Sequence, residues 1–490
     1  MEVEVKNQRW DEDLLFAVRK EVLEQWHTGK ELAEPRALEE AIEYQKQQPW
    51  WKFASLRNAR AKEEDSVQVM GQVGHATVEQ TVEHIKHCDA VEPERQLMLT
   101  DTYSRKNQYK LSQEAIERSY REGFSLLNGY PVVPNGVKGA RRVNECTRAA
   151  IGTDSCDEDS RLGWEIALAG GWTYGSIQTI NEIIAHGRDY PMERMITNFQ
   201  YNDRLSSYYT ERGIPVLGRA TANMGCWDPP AFKVAISIIQ TLLSAEQGVK
   251  HIDISLGLGM NLIQDVAALR TLDRLAKEYL ARFGHGDVKT YLWTYFWLGD
   301  WPTNRDAIAS MLAWNTAEAV LGGVVGMCIK SLDEASSTPT KEGFLSGFTI
   351  IRQIIRVISG QRLAEGAELR QEEKMTELTA RAIVDRVLDL GDGDLAVGSV
   401  RAIDAGVIDG MFLPYRRLKH KVLVVRDKQG ALRYLDAGDL PLPKEVVEYH
   451  REKIAEQEAH ENSKADLEWV IREATRMSEP LTKEESLLTT

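Results

Sequence analysis

The strongest constraint on the fold of this chain is a rhythm. From about residue 66, short apolar runs rich in β-branched side chains alternate with longer amphipathic stretches. Strands are expected at SVQVMG (66–71), QLMLTD (96–101), FSLLN (124–128), RAAIGT (148–153), IPVLGRA (214–220), HIDISLG (251–257), KTYLWTYF (289–296) and VVGMCIK (324–330). Helical stretches such as TVEQTVEHIKHC (77–88) and AFKVAISIIQTLLSAEQG (231–248) lie between most of them. In the second of these, Ala235, Ile238, Ile239, Leu242 and Leu243 mark one face at helical spacing. LIQDVAALRTLDRLAKEYLARFG (262–284) is a third, ended by glycine. Eight such signals in series define an α/β chain, and the expected architecture is a closed (β/α)8 TIM barrel over roughly 62–365. A doubly wound sheet is the alternative, but eight regular alternations favour closure.

The flanks read differently. Residues 1–61 are polar and helical, with aromatic anchors at Trp10, Trp26, Trp50 and Trp51. Residues 366–470 form an α+β region: a helical stretch, the Gly/Asp-rich GDGDLAVGSVRAIDAG, a hairpin over KVLVVRDKQGALRYLDAG (421–438), and a charged helix near 444–462. Residues 471–490 are expected as a loose tail.

Composition bounds the function. At 43% hydrophobic and 27% charged, the 490 residues can bury a large core. A net charge of -14 argues against a general affinity for nucleic acid or anionic lipid. No run of about 18 apolar residues is present to span a membrane. MEVEVKNQRWDEDLL lacks the basic-then-apolar pattern of a secretory signal. The five cysteines are odd in number and make no C-x-x-C, which fits a reduced, cytoplasmic protein with no metal site of its own.

Barrel enzymes place their chemistry at the C-terminal ends of the strands. Those ends hold His75, Arg105, Asn128, Asp154, Thr221, Gly257, the Trp297/Trp301 region and Lys330. No H-E-x-x-H, Walker loop or G-x-S-x-G is present, and GLGMN (257–261) is a weak phosphate-loop candidate. Lys330 could form a Schiff base or simply pair with Glu334. YLWTYFWLGDW (291–301) reads as core or as a stacking platform. GTDSCDEDSR (152–161) packs four carboxylates into ten positions. Residue pattern alone therefore reaches a barrel enzyme of open chemistry.

Longer strings carry a resemblance. SLLNGYP (125–131), NGVKG (135–139), AGGWT (169–173) and AEQGVKHIDISLGLGMNLIQDVAALR (245–270) resemble the large catalytic epsilon chain of glutamate mutase, or methylaspartate mutase. So do LEQWHTGK (23–30), PTKE (339–342), GDLAVGSVRAIDAGV (393–407) and VRDKQGALRYL (425–435). The resemblance implies an isomerase using adenosylcobalamin, whose cobalt–carbon homolysis yields a 5′-deoxyadenosyl radical that takes a substrate hydrogen before a carbon fragment migrates. It also implies a small cobalamin-binding partner subunit carrying D-x-H-x-x-G, in an assembly of two large and two small chains. None of the ten histidines here has an aspartate two residues before it, so the cobalt ligand must come from that partner.

The resemblance assigns cofactor contacts to Asn128, to the Lys330–Glu334 pair that holds the adenosyl ribose, and to Trp301 as a flat wall, with Thr338 replacing an aliphatic residue. Radical chemistry needs a dry, oriented site of this kind more than acid–base strength. Substrate contacts carry over less well. Of three arginines that hold the two carboxylates of glutamate, one falls on His75, one is kept as Arg105 and one falls on Asp154. The neighbouring histidine becomes Ser155, the glutamate near the amine becomes Ser176, and two tyrosines become Glu182 and His186. Asp157, Glu158 and Asp159 are expected to serve loop solubility and to cap the next helix.

Placing aspartate where an arginine held a carboxylate reverses the local sign. Two like charges ~4 Å apart cost about 4 kcal/mol at an effective dielectric near 20, on the order of a thousandfold in affinity. The expected catalytic and selecting set is thus Arg105, Asp154 and Glu182, acting on an amino acid with a basic or neutral side chain. The alternatives are ordinary glutamate–methylaspartate isomerisation, with Arg148 or Arg161 as anchors, and a non-catalytic paralogue that only binds the small subunit.

Overall fold

The computed structural model describes residues 3–480 apart from 155–156, 177 and 336–338. Eight parallel strands close a barrel in sequence order: β1 (Gln68–Val73), β2 (Arg95–Leu99), β3 (Ala150–Asp154), β4 (Tyr174–Ser176), β5 (Leu217–Ala222), β6 (His251–Gly257), β7 (Lys289–Tyr295) and β8 (Gly326–Cys328). Closure comes from β8 against β1, with Gln68 opposite Gly326 and Met70 opposite Cys328. The helices expected over 77–88, 231–248 and 262–284 form at Val78–Cys88, Pro230–Glu246 and Leu262–Arg282.

One expected strand is wrong and another was missed. FSLLN is an irregular loop whose side chains bond locally: Ser125 Oγ accepts from the Ala76 N–H, and the Leu126 N–H donates to Ser119 Oγ. Such bonds offer the backbone an alternative to a ladder. Gly123 at φ +80° turns the chain just before it. The missing strand is Tyr174–Ser176, three residues long and too short to show a period. Glycine permits its close approach, since a Cβ on Gly152 would lie 2.5 Å from the Tyr174 ring and one on Gly175 would lie 2.6 Å from Trp164.

The bottom of the barrel is closed by the N-terminal helix Ala54–Glu63. Its Asn58 donates to Asp253 Oδ1 (2.6 Å) and accepts from Gln68, Arg95 and the Trp293 indole. Arg95 in turn pairs with Asp253 at 2.6 Å, both fully buried. Tyr174, Tyr291, Trp293 and Tyr295 fill the interior around this plug.

Outside, helix Ala367–Leu390 packs on the barrel helices Pro230–Glu246 and Leu262–Arg282. The hairpin of β9 (Leu423–Arg426) and β10 (Leu432–Asp436) is tied back to it by Arg433, which bridges Glu372 and Asp427. Of the loose tail expected over 471–490, residues 471–480 need correction and 481–490 lie outside the described residues. A helix runs over Leu467–Thr475, the Trp227 indole donates to the Ala474 carbonyl, and the Ser478 N–H donates to Asp300. Apolar burial of Trp469 and Val470 anchors this segment against the hairpin. Among the described residues, no helix is long and apolar enough to cross a membrane.

Candidate active site

Two of the cavities at the C-terminal ends of the strands hold residues expected in the site. The smaller, about 160 Å³, is lined by His75, His84, Asn128, Lys330, Glu334 and Phe344, among others. Lys330 follows β8 and donates to Glu334 at 2.6 Å, both side chains mostly buried. Asn128 accepts from the Thr102 N–H and hydroxyl, which leaves its amide NH2 as the group it offers the cavity. Gly74, also lining this cavity, sits against the backbone of Tyr130, where an added Cβ would lie 2.7 Å from the Tyr130 nitrogen. His75 Nε2 and His84 Nδ1 share a hydrogen bond of 2.8 Å. Burial and the other imidazole push His84 down to about 3, and burial with the Lys341 charge lowers His75, so this pair is neutral near pH 7. The cleft is therefore without net charge and offers hydrogen-bond donors.

The larger cavity, about 750 Å³, brings Arg105, Glu182 and His186 together with Asp157, Glu158 and Arg194. Arg105 is positioned from its own loop. Asp101 Oδ1 accepts from the N–H groups of Tyr103 and Ser104 and from Ser112, which fixes the turn, and Arg105 Nε donates to the Thr100 carbonyl. Helix Thr179–His186 carries Glu182, buried, and His186, exposed on the rim. The cavity walls and then the Arg105 charge hold the His186 imidazolium below its ordinary range.

Asp154 closes β3, is 5% exposed and lines neither cavity. Its Oδ1 accepts from Gln178 Nε2 at 2.9 Å and lies 3.7 Å from Arg219 Nη1. It is nevertheless adjacent to the larger cavity, because Thr100, whose carbonyl holds Arg105, donates its hydroxyl to the Asp154 carbonyl. At the end of β8 the buried Cys328 thiol, pushed up to about 12 chiefly by burial, feels the charges of Arg219, Lys330, Asp154 and Glu334.

Other expectations fare variously. His75, matched to a substrate arginine, lies instead beside Lys330 and Asn128. Trp301 is 8% exposed, donates its indole N–H to the Trp297 carbonyl and belongs to the core, outside both cavities. Ser176 ends β4. Ser155 and Thr338 lie outside the described residues. Asp157 is no solubilising residue: it is buried, and burial pushes its carboxyl well above the usual range, with Arg105 opposing. Asp159 does serve the next helix, accepting from the Arg161 N–H, and it holds the Arg161 guanidinium at 2.6 Å. Arg161 is thus committed, and Arg148 lies under β3, at the wrong end of the barrel, against Trp51. GLGMN cradles no phosphate here, because the Gly259 and Asn261 N–H groups both donate to Asp265.

Arg219 was not foreseen. It is the lone charge inside the apolar run IPVLGRATA, and inward parity on β5 was the signal that could have exposed it.

The fold and its mouth define a barrel with a small polar cleft of about 160 Å³ and a larger, charged pocket of about 750 Å³. The sequence profile described as Methylaspartate mutase E chain (MutE) matches residues 51–481. A glutamate mutase epsilon subunit of Desulfitobacterium hafniense (strain Y51) is 36% identical over 472 residues, covering 96% of each chain. Those of Yersinia enterocolitica and Escherichia coli O157:H7 are each 32% identical, over 97% of this chain and 98% of theirs. The chain belongs to the methylaspartate mutase E-chain family and is an isomerase of the mutase type.

Proposed function

We propose that this chain is the large catalytic subunit of an adenosylcobalamin-dependent mutase that rearranges the carbon skeleton of an amino acid with a neutral or basic side chain. The observation that carries the substrate reading is the buried carboxylate of Asp154 at the end of β3, where the family resemblance calls for a carboxylate-binding arginine.

The cofactor reading rests on the smaller cavity. Lys330 and Glu334 hold each other at 2.6 Å within reach of a ribose diol, and Asn128 has a donor to spare. Adenosylcobalamin, when bound, supplies homolytic hydrogen abstraction. The protein's part is binding and orientation: Arg105 takes the substrate carboxylate, the Lys330–Glu334 pair meets the ribose, and the His75–His84 pair lines the same cleft without adding net charge. With no histidine of the D-x-H-x-x-G kind in this sequence, a small cobalamin-binding partner completes the enzyme, in a two-plus-two assembly in the cytoplasm. Residues 62–365 form the catalytic barrel of that subunit, with 1–61 and 366–470 as its N-terminal extension and C-terminal region.

Reconstitution with the small subunit and a panel of acidic, neutral and basic amino acids tests this reading. Turnover of a neutral or basic amino acid is expected, with a cob(II)alamin-coupled radical signal in EPR that needs the substrate. Turnover of glutamate alone overturns the substrate assignment, and absence of the signal with every amino acid overturns catalysis.

A further inference from the structure

Arg219 is 1% exposed, yet among the described residues neither Nη1 nor Nη2 has a hydrogen-bond partner. Its guanidinium lies between the rings of Tyr174 and Tyr295, at 5.9 and 5.6 Å from their centroids, and the buried Tyr295 hydroxyl is likewise unpartnered. The 3.7 Å approach to Asp154 brings the charges together without a hydrogen bond. Register explains the meeting. Ser176 of β4 stands opposite Arg219 of β5, and Asp154 follows Thr153, which stands opposite Gly175, so one row of the parallel ladder joins the two charges, two strands apart, and runs on to Asp253 of β6. Buried guanidinium N–H groups left without acceptors call for one, whereas a second full charge would meet either Asp154 or Arg219 with the wrong sign.

We propose that Arg219 is the specificity-determining partner of Asp154, and that the pair, neutral as a unit, selects an amino acid whose side chain is uncharged and carries a hydrogen-bond-accepting oxygen. This rests on the mutase reading for the presence of an amino acid and narrows its class. A side-chain carboxylate would face Asp154 and an ammonium would face Arg219. An amide, carbonyl or hydroxyl oxygen accepts from Arg219 without disturbing either charge.

The test uses calorimetric titration of the full chain assembled with its small subunit and adenosylcobalamin. Glutamine, glutamate and ornithine are the probes. Wild type is expected to bind glutamine at least about tenfold more tightly than either charged analogue, about 1.4 kcal/mol. D154N should shift preference about tenfold toward glutamate, and R219Q about tenfold toward ornithine, in opposite directions that mere structural damage would not produce. The reciprocal D154R/R219D double variant should restore the preference for glutamine, and it decides the matter if the single variants do not fold by circular dichroism. Preference for a charged probe in wild type, or shifts of the same direction in both single variants, overturns the proposal. The expected binding pattern without turnover supports the pair while defeating the mutase reading.

Discussion

Substituting Asp253 tests whether the plug beneath the barrel is held by charge. Asp253 Oδ2 lies 2.6 Å from Arg95 Nη1, with the side chains 2% and 0% exposed. At that separation the attraction is about 6 kcal/mol at an effective dielectric near 20, offset by the desolvation of both ions. Burial pushes the Asp253 carboxyl up and Arg95 opposes it. In D253N, Asn58 Nδ2 keeps an acceptor, but Arg95 becomes a buried cation without a counter-charge. Breaking such a pair costs about 3–5 kcal/mol. The stacking of Arg95 over Trp293 at 4.0 Å places the expected loss at the lower end, about 3 kcal/mol. The R95M/D253N double variant removes the stranded charge and should recover roughly half of that loss. Chemical unfolding followed by far-UV circular dichroism reads both values. A loss below about 1 kcal/mol in D253N, or a double variant no better than the single, would refute the claim that an uncompensated charge sets the cost.

Two further outcomes follow from the structure. K330M leaves Glu334 without its partner and should weaken adenosylcobalamin binding about tenfold to a hundredfold in a spectral titration, about 1.4–3 kcal/mol, with the far-UV spectrum unchanged. His450 is buried, its Nδ1 accepts from the Tyr434 N–H, and burial and the Arg433 charge push it down to about 3. Because the unfolded chain protonates near pH 6.5 and the folded site does not, stability is full above that value and falls as pH drops toward 3. Acidification from pH 6.5 to 4 should cost about 3 kcal/mol through this group. In H450Q, unfolding midpoints should depend less on pH over that window, and an unchanged slope would remove His450 from the account.

Much of the fold was legible because periodicity survives without neighbours. Seven of the expected strands are present, and FSLLN failed because Ser125 and Ser119 satisfy the backbone locally. β4 escaped because three residues, Tyr174–Ser176, carry no period, and glycine spacing is a tertiary requirement. In the mouth, Arg105, Glu182 and His186 do meet, as do Asn128, Lys330 and Glu334. His75 moved to the second group because its side chain is held by His84 on the next helix, a contact that no local pattern encodes.

The sequence by itself determined the alternation that closes a barrel, the family to which the chain belongs, and the presence of a carboxylate at residue 154. Only the tertiary structure decided what that charge faces. Arg219 lies 65 residues away in the chain and reaches Asp154 because adjacent strands share a register, and pairing across a barrel depends on closure rather than on local sequence.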